Sequence, residues 1–111
     1  MKPEIRKQEG FTFIDDVVIE LSQGLVARPS ALIKKLFERY DNEVYLKKKD
    51  NPDQKYNAKE IMDLMCLEGY KGLNVQIYVE GEDAEAEELA LMMYSGLTTD
   101  DFYPYFKRWE K

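Results

Sequence analysis

Between Leu73 and Glu80 apolar and polar side chains alternate, with Val75, Ile77 and Val79 on one side and Asn74, Gln76 and Tyr78 on the other. A period of two means a strand buried on one face only. The stretch Asp15 to Ser22 repeats the pattern: Val17, Ile19 and Leu21 point one way, Asp16, Val18 and Glu20 the other. Two such strands demand a sheet with one face covered, and the residues between them supply the cover. Leu32, Ile33, Leu36, Phe37 and Tyr40 recur at helical spacing, and Lys34, Lys35, Glu38 and Arg39 fill the opposite face. Pro29 suits that helix's first turn, where its missing N–H costs nothing. Asp41-Asn42 is the expected stop.

The punctuation orders the remaining elements. Glu43 to Lys47 reads as a second strand with Val44 and Leu46 inward, and Asp50-Asn51-Pro52-Asp53 reads as a turn. Gln54 to Asn57 reads as a short third strand. Asn57 and Glu60 have capping-box spacing before a short helix that ends near Glu68-Gly69. After the Leu73–Glu80 strand, Asp83 caps a third helix through Tyr94, with Ala86, Leu89, Ala90 and Met93 on its buried stripe and Gly96 as terminator. Residues 1–10 read as polar and loose. The order β-α-β-β-α-β-α predicts an α+β sandwich with three helices on one sheet face.

Composition narrows the chemistry. The 111 residues fit one domain, and the 44% apolar and 34% charged content fits a globular one. Histidine is absent and Cys66 is the only cysteine. A histidine base, a histidine-ligated metal, a multi-cysteine zinc site and an internal disulfide are thereby excluded. The expectation is no metal, no cofactor and no enzymatic activity. Cys66 reads as a small, semi-buried residue near the end of the second helix. A net charge of −6 opposes direct binding of nucleic acid or an anionic membrane. Lys47-Lys48-Lys49 reads as a solvated strand end. The charged first ten residues lack a signal-peptide core, and no apolar run is long enough to span a bilayer. A cytoplasmic location is expected.

Three segments carry a family resemblance. Gly24-Leu25-Val26-Ala27-Arg28-Pro29 resembles the motif G-[IL]-H-A-R-P of HPr, the phosphocarrier of the bacterial sugar phosphotransferase system. Asn57-Ala58-Lys59-Glu60-Ile61-Met62-Asp63-Leu64-Met65 resembles that family's regulatory motif N-x-K-S-I-M-x-[VL]-M. Lys71-Gly72, the alternating strand and Gly81-Glu82-Asp83-Ala84 resemble its last strand and the start of its last helix. The resemblance runs from about Asp16 to Leu97. It implies an open-faced β-sandwich with three helices on one face of a four-stranded antiparallel sheet. It divides the chain into an N-terminal extension (1–14), an HPr-like domain (15–97) and an aromatic C-terminal extension (98–111).

Two departures bear on function. The family's phosphoacceptor histidine corresponds to Val26, which has no lone pair to receive a phosphoryl group. The serine that a kinase phosphorylates in Gram-positive relatives corresponds to Glu60, whose single charge imitates phosphoserine in part. The resemblance therefore implies a regulatory binding protein without histidine phosphotransfer. Its partner is a phosphotransferase-system component or a catabolite-control-type regulator, docked on Ile61, Met62 and Met65. Each site also has a plainer reading. Val26 is then a buried plug, Glu60 a helix cap, and the Ile61–Met65 face part of the core, with Leu64 buried and Met62 partly exposed. Two other functions remain open at this point. Ala27 and Arg28 at the first helix start would bind a small anion or phosphometabolite. Alternatively, the tail would make the protein a structural subunit. Thr99 or Asp100 can cap a tail helix, and Phe102, Phe106 and Trp109 follow helical spacing. With Phe11 and Phe13, that tail is expected to cover the open sheet face around Val18, Tyr45 and Tyr78, or to make a dimer contact.

Overall fold

Eight elements make up the computed structural model, which describes residues 3–99. They are β1 (Arg6–Gln8), β2 (Phe11–Val18), α1 (Ala27–Phe37), β3 (Val44–Lys48), β4 (Asn51–Asn57), α2 (Ile61–Cys66), β5 (Asn74–Glu80) and α3 (Ala84–Thr98). The strands form one antiparallel sheet in the order β1-β2-β5-β3-β4. The three helices cover one face, as the pattern predicts. Val75, Ile77 and Val79 of the central strand β5 are fully buried against Ile33, Leu36 and Phe37 of α1 and Leu89, Ala90 and Met93 of α3, within one continuous core. Asp83 caps α3, its Oδ1 accepting from the Ala86 N–H at 3.0 Å.

The sheet has one strand more than expected. The segment read as loose contains β1, which pairs Arg6 with Phe13 and Gln8 with Phe11. Glu9 and Gly10 join it to β2 with positive φ at both positions (53° and 86°), as a tight two-residue hairpin requires. Lys7 ties β1 to α3 through Glu87 at 3.1 Å, and Arg6 Nε reaches Asp15 at 3.0 Å on the other face. A three-residue polar strand carries no apolar alternation, so it left no sequence signal.

Strand β2 starts four residues earlier than its alternation suggests, at Phe11. A bulge between Ile14 and Val17, with Asp16 at φ 56°, lets both Asp15 and Asp16 face solvent while Ile14 and Val17 stay buried. The expected turn at Asp50–Asp53 is displaced. Lys49 and Asp50 form it, and Asn51 and Pro52 begin β4. Proline is tolerated there because β4 is an edge strand.

Three helix boundaries also differ from expectation. Helix α1 ends at Phe37, short of Asp41-Asn42. Gly96 does not stop α3; it is buried within the helix, which runs on to Thr98 with Thr99 as its C-cap, and the expected tail helix lies outside the described residues. The capping box does not form, because Glu60 is itself the N-cap of α2 and its side chain caps nothing. Instead the Lys59 N–H donates to Asn57 Oδ1 at 2.8 Å, and the Asn57 N–H donates to Asp63 Oδ2 at 3.0 Å.

Candidate functional site

The site is assembled at the end of the sheet where β2 gives way to α1. Backbone bonds hold the connecting loop on three sides. The Ile19 N–H donates to Leu73 O at 2.9 Å, Glu20 N–H to Leu97 O at 2.9 Å, and Leu25 N–H to Gly69 O at 2.7 Å. Gly24 sits at φ 76°, and a Cβ there would lie 2.9 Å from Gly69 O. Only glycine meets both conditions, the left-handed turn and the close approach.

This loop decides where Val26 points. Leu25 turns inward and is buried, and Val26, the extended N-cap of α1 (φ −95°, ψ −168°), is 48% exposed. The plug reading of Val26 is thus wrong; Leu25 is the plug. A valine cap offers no side-chain acceptor, so the first-turn N–H groups of α1 receive none from it. Ala27 and Arg28 follow on the exposed side of that turn.

Helix α2 brings the second set of residues. Leu64 is fully buried, as expected, and Leu67 joins it below the helix. Ile61 is half-buried. Met62 is 66% and Met65 41% exposed, so the two methionines are surface rather than core. Three residues apart, they share one helix face. Cys66 is exposed, not semi-buried. Glu60 is exposed at the N-cap, and its charge helps raise the Lys34 pKa, after the larger effect of Glu38, the C-cap of α1, at 2.7 Å.

The loop and α2 face one another across a shallow groove of about 310 Å³ lined by Gly24, Leu25, Val26, Met65, Glu68 and Tyr70 among others. Among the described residues the exposed large apolar side chains are Val18, Val26, Met62, Met65 and Tyr70. Four of these five lie in or beside this groove. Apolar exposure is thus concentrated on one side of the fold, around side chains of which two are the adaptable methionines. The sequence reading named Val26, Ala27, Arg28, Glu60, Ile61, Met62 and Met65 as separate candidates and Gly24 only as part of a motif, and it missed Tyr70. Tyr70 stands in a loop, where no periodicity exists to single it out.

The opposite face of the sheet holds a second cluster. Tyr78 stacks between Phe13 (5.8 Å) and Tyr45 (5.2 Å), with Phe11 edge-on at 5.5 Å. Cations roof these rings: Arg6 over Phe13 at 4.2 Å, Lys47 over Tyr78 at 4.9 Å and Lys55 over Tyr45 at 4.7 Å. Burial, helped by Tyr45 and Glu43, pushes the Tyr78 phenol up to about 12. The tail residues Phe102, Phe106 and Trp109, expected on this face, lie outside the described residues. No acidic or cysteine cluster among the described residues is arranged to hold a metal, and no described helix is long and apolar enough to cross a membrane.

Comparison with known proteins gives consistent matches. Residues 15–94 match the family described as PTS HPr component phosphorylation site. The HPr-like protein Crh of Halalkalibacterium halodurans is 35% identical over 78 residues, covering 70% of this chain and 89% of that protein. The crystal structure of a phosphocarrier protein HPr from Bacillus anthracis superposes with a TM-score of 0.62 at 32% identity, covering 78% of this chain and 98% of that one. Crh from Bacillus subtilis, described as a swapped dimer, superposes with a TM-score of 0.58 at 29% identity, covering 86% of this chain and 95% of that one.

Proposed function

Because the chain belongs to the HPr family of the phosphotransferase system, we propose that it is a member that binds a protein partner and carries no phosphoryl group. The observation that carries this reading is the gathering of Val26, Met62, Met65 and Tyr70 at the end of the fold where the family has its acceptor. Valine cannot accept a phosphoryl group, and no histidine elsewhere in the 111 residues can replace it. An exposed valine adds apolar contact area at the same point. The protein is then a cytoplasmic regulator, not an enzyme. Its partner is a phosphotransferase-system component such as enzyme I, or a catabolite-control-type repressor. Glu60 presents a constant charge beside the methionine face. It stands in part for phosphoserine, which carries about −1.5 to −2 at neutral pH.

The test has two arms. Enzyme I with labelled phosphoenolpyruvate is expected to leave this chain unlabelled. Titration against purified enzyme I and against the repressor is expected to give saturable binding to one of them. Met62→Asp should weaken that binding by about 30-fold, the equivalent of a 2 kcal/mol hot spot. Stoichiometric labelling, or an affinity unmoved by Met62→Asp, would overturn the reading.

A second reading draws on the uncapped start of α1. Its first-turn N–H groups and Arg28 would hold a small phosphorylated metabolite. Phosphate would then shift the Ala27 and Arg28 amide resonances at millimolar concentration, and unchanged resonances would remove this reading.

A further inference from the structure

The chain has five methionines and one cysteine, and three of these six sulfur atoms fall within residues 62–66. All three are on the surface of α2: Met62 is 66% and Met65 41% exposed, and Cys66 is exposed. Met92 and Met93 of α3 are buried, so among the described residues solvent-exposed sulfur occurs here alone. Met62 lies three residues before Met65 and four before Cys66. That spacing places the three side chains within about 100° of the helix circumference. Residues so spaced are neighbours of Met62, with Cβ atoms roughly 5–6 Å apart. Helical side chains lean toward the N-terminus, so Met65 and Cys66 lean over the turn that carries Met62. The thioether arms close the remaining gap through their rotatable bonds. Apolar contact with a protein accounts for two exposed methionines, but it does not call for a thiol beside them.

The backbone beneath the three sulfurs is fixed. Leu64 and Leu67 are fully buried, the Leu64 N–H donates to Glu60 O at 3.1 Å, and the Leu67 N–H donates to Asp63 O at 3.0 Å. The donor set is one thiol and two thioethers, with no imidazole anywhere in the chain. The carboxylate within α2, Asp63, already accepts the Asn57 N–H at 3.0 Å. Thiolate and thioether are soft donors and select Cu(I), whereas magnesium, calcium and manganese prefer oxygen. Zinc takes thiolate, imidazole and carboxylate ligands, usually four in a structural site, and thioethers do not supply them. We infer that Met62, Met65 and Cys66 form a three-sulfur site for Cu(I). On binding, the Cys66 thiol releases its proton to solvent, and the thiolate and the two thioethers each donate a lone pair. The ion keeps its oxidation state. Thiolate and cation charges cancel, so the occupied site adds no net charge beside the apolar Val26 and Tyr70. The site does not rest on the protein-binding reading above.

The test titrates the full-length protein, reduced and free of oxygen, with Cu(I) held by the chromogenic chelator bicinchoninate. The protein is expected to withdraw one Cu(I) per chain, with no change in mass beyond that of the ion. X-ray absorption at the copper edge should show three sulfur neighbours. The Met62 and Met65 methyl resonances should move while those of the buried Met92 and Met93 stay in place. The double variant Met62→Leu/Met65→Leu keeps the thiol, the apolar surface and nearly the same side-chain volume, so folding is preserved. It should weaken Cu(I) binding by about tenfold or more, and Cys66→Ser should weaken it further. An equal concentration of Zn(II) should not displace the Cu(I). The inference falls if the protein withdraws no Cu(I) from the chelator. It falls equally if affinity is unmoved in Met62→Leu/Met65→Leu, which leaves coordination by the thiol alone, or if Zn(II) displaces the ion. One Cu(I) per two chains with a doubled mass also overturns it, because the ion then bridges the Cys66 thiols of two copies. The two readings fail separately. Met62→Leu/Met65→Leu removes the metal donors and leaves an apolar face for a protein partner, whereas Cys66→Ser leaves both methionines in place.

Discussion

Leu64 anchors α2 beneath the proposed binding surface without belonging to it, and replacing it by alanine separates those two roles. Helix α2 has six residues, far short of the roughly 12–15 an isolated helix needs in water. Its N-cap Glu60 contributes no side-chain hydrogen bond to the helix. Its conformation therefore depends on burial of Leu64 and Leu67, both at 0% exposure. Leu64→Ala removes three carbons at about 0.8 kcal/mol each, or about 2.4 kcal/mol of transfer free energy. The cavity left behind raises the total to about 2–5 kcal/mol, out of the roughly 5–15 kcal/mol that stabilises a domain of this size. At about 4–8 °C per kcal/mol the midpoint falls by about 10 °C or more. Met62→Asp is the control. Met62 is 66% exposed, and surface substitutions of this kind stay within about 0.5 kcal/mol. Thermal melts followed by far-ultraviolet circular dichroism, with the partner titration repeated on each variant, read both quantities. Both variants are expected to lose partner binding, and only Leu64→Ala to lose stability. A Leu64→Ala midpoint within about 4 °C of wild type would refute the claim that this side chain anchors α2.

Val26→His is expected to fold with unchanged stability, within about 0.5 kcal/mol, because Val26 is exposed at an extended N-cap. The variant should be labelled by enzyme I and phosphoenolpyruvate where the wild type is not. Absence of labelling would mean that this surface no longer docks enzyme I. Asp83→Ala removes the bond to the Ala86 N–H at 3.0 Å and should cost about 0.5–2 kcal/mol in urea unfolding; an unchanged midpoint would contradict the cap. Tyr78 ionises near 10.0 when unfolded and near 12 when folded. Its contribution is complete below pH 10 and is lost as the pH rises from there through the folded value, because the unfolded chain ionises first. Up to about 2–3 kcal/mol of stability should disappear over that window, and Tyr78→Phe should flatten the decline. Parallel alkaline unfolding curves for the two proteins would refute the assignment.

Much of the frame was legible because burial repeats with the period of the backbone. Val75, Ile77 and Val79 declared β5, Val17 declared part of the buried side of β2, and Asp83 declared the start of α3. Glu60, Met62 and Met65 were legible for a different reason, the resemblance of their segment to a family motif. Other features depended on contacts that local pattern does not encode. β1 is three polar residues that earn a place in the sheet only because the edge of β2 is there to pair with them. Gly96 looked like a stop, but buried inside α3 it lies where the helix packs on the core, and packing outweighs the roughly 1 kcal/mol that glycine costs a helix.

The sequence alone determined what chemistry is absent: no histidine to carry a phosphoryl group, and no cysteine pair. It also determined the order of strands and helices from β2 onward, because apolar periodicity is a local property. Tertiary structure decided which apolar side chains are left uncovered. Leu25 and Val26 are adjacent, similar in size and both apolar. One is buried and the other half exposed because Gly24 turns the chain against Gly69 and the Leu25 N–H is bound there. Exposure is a sum over neighbours distant in sequence, and only the folded chain supplies them.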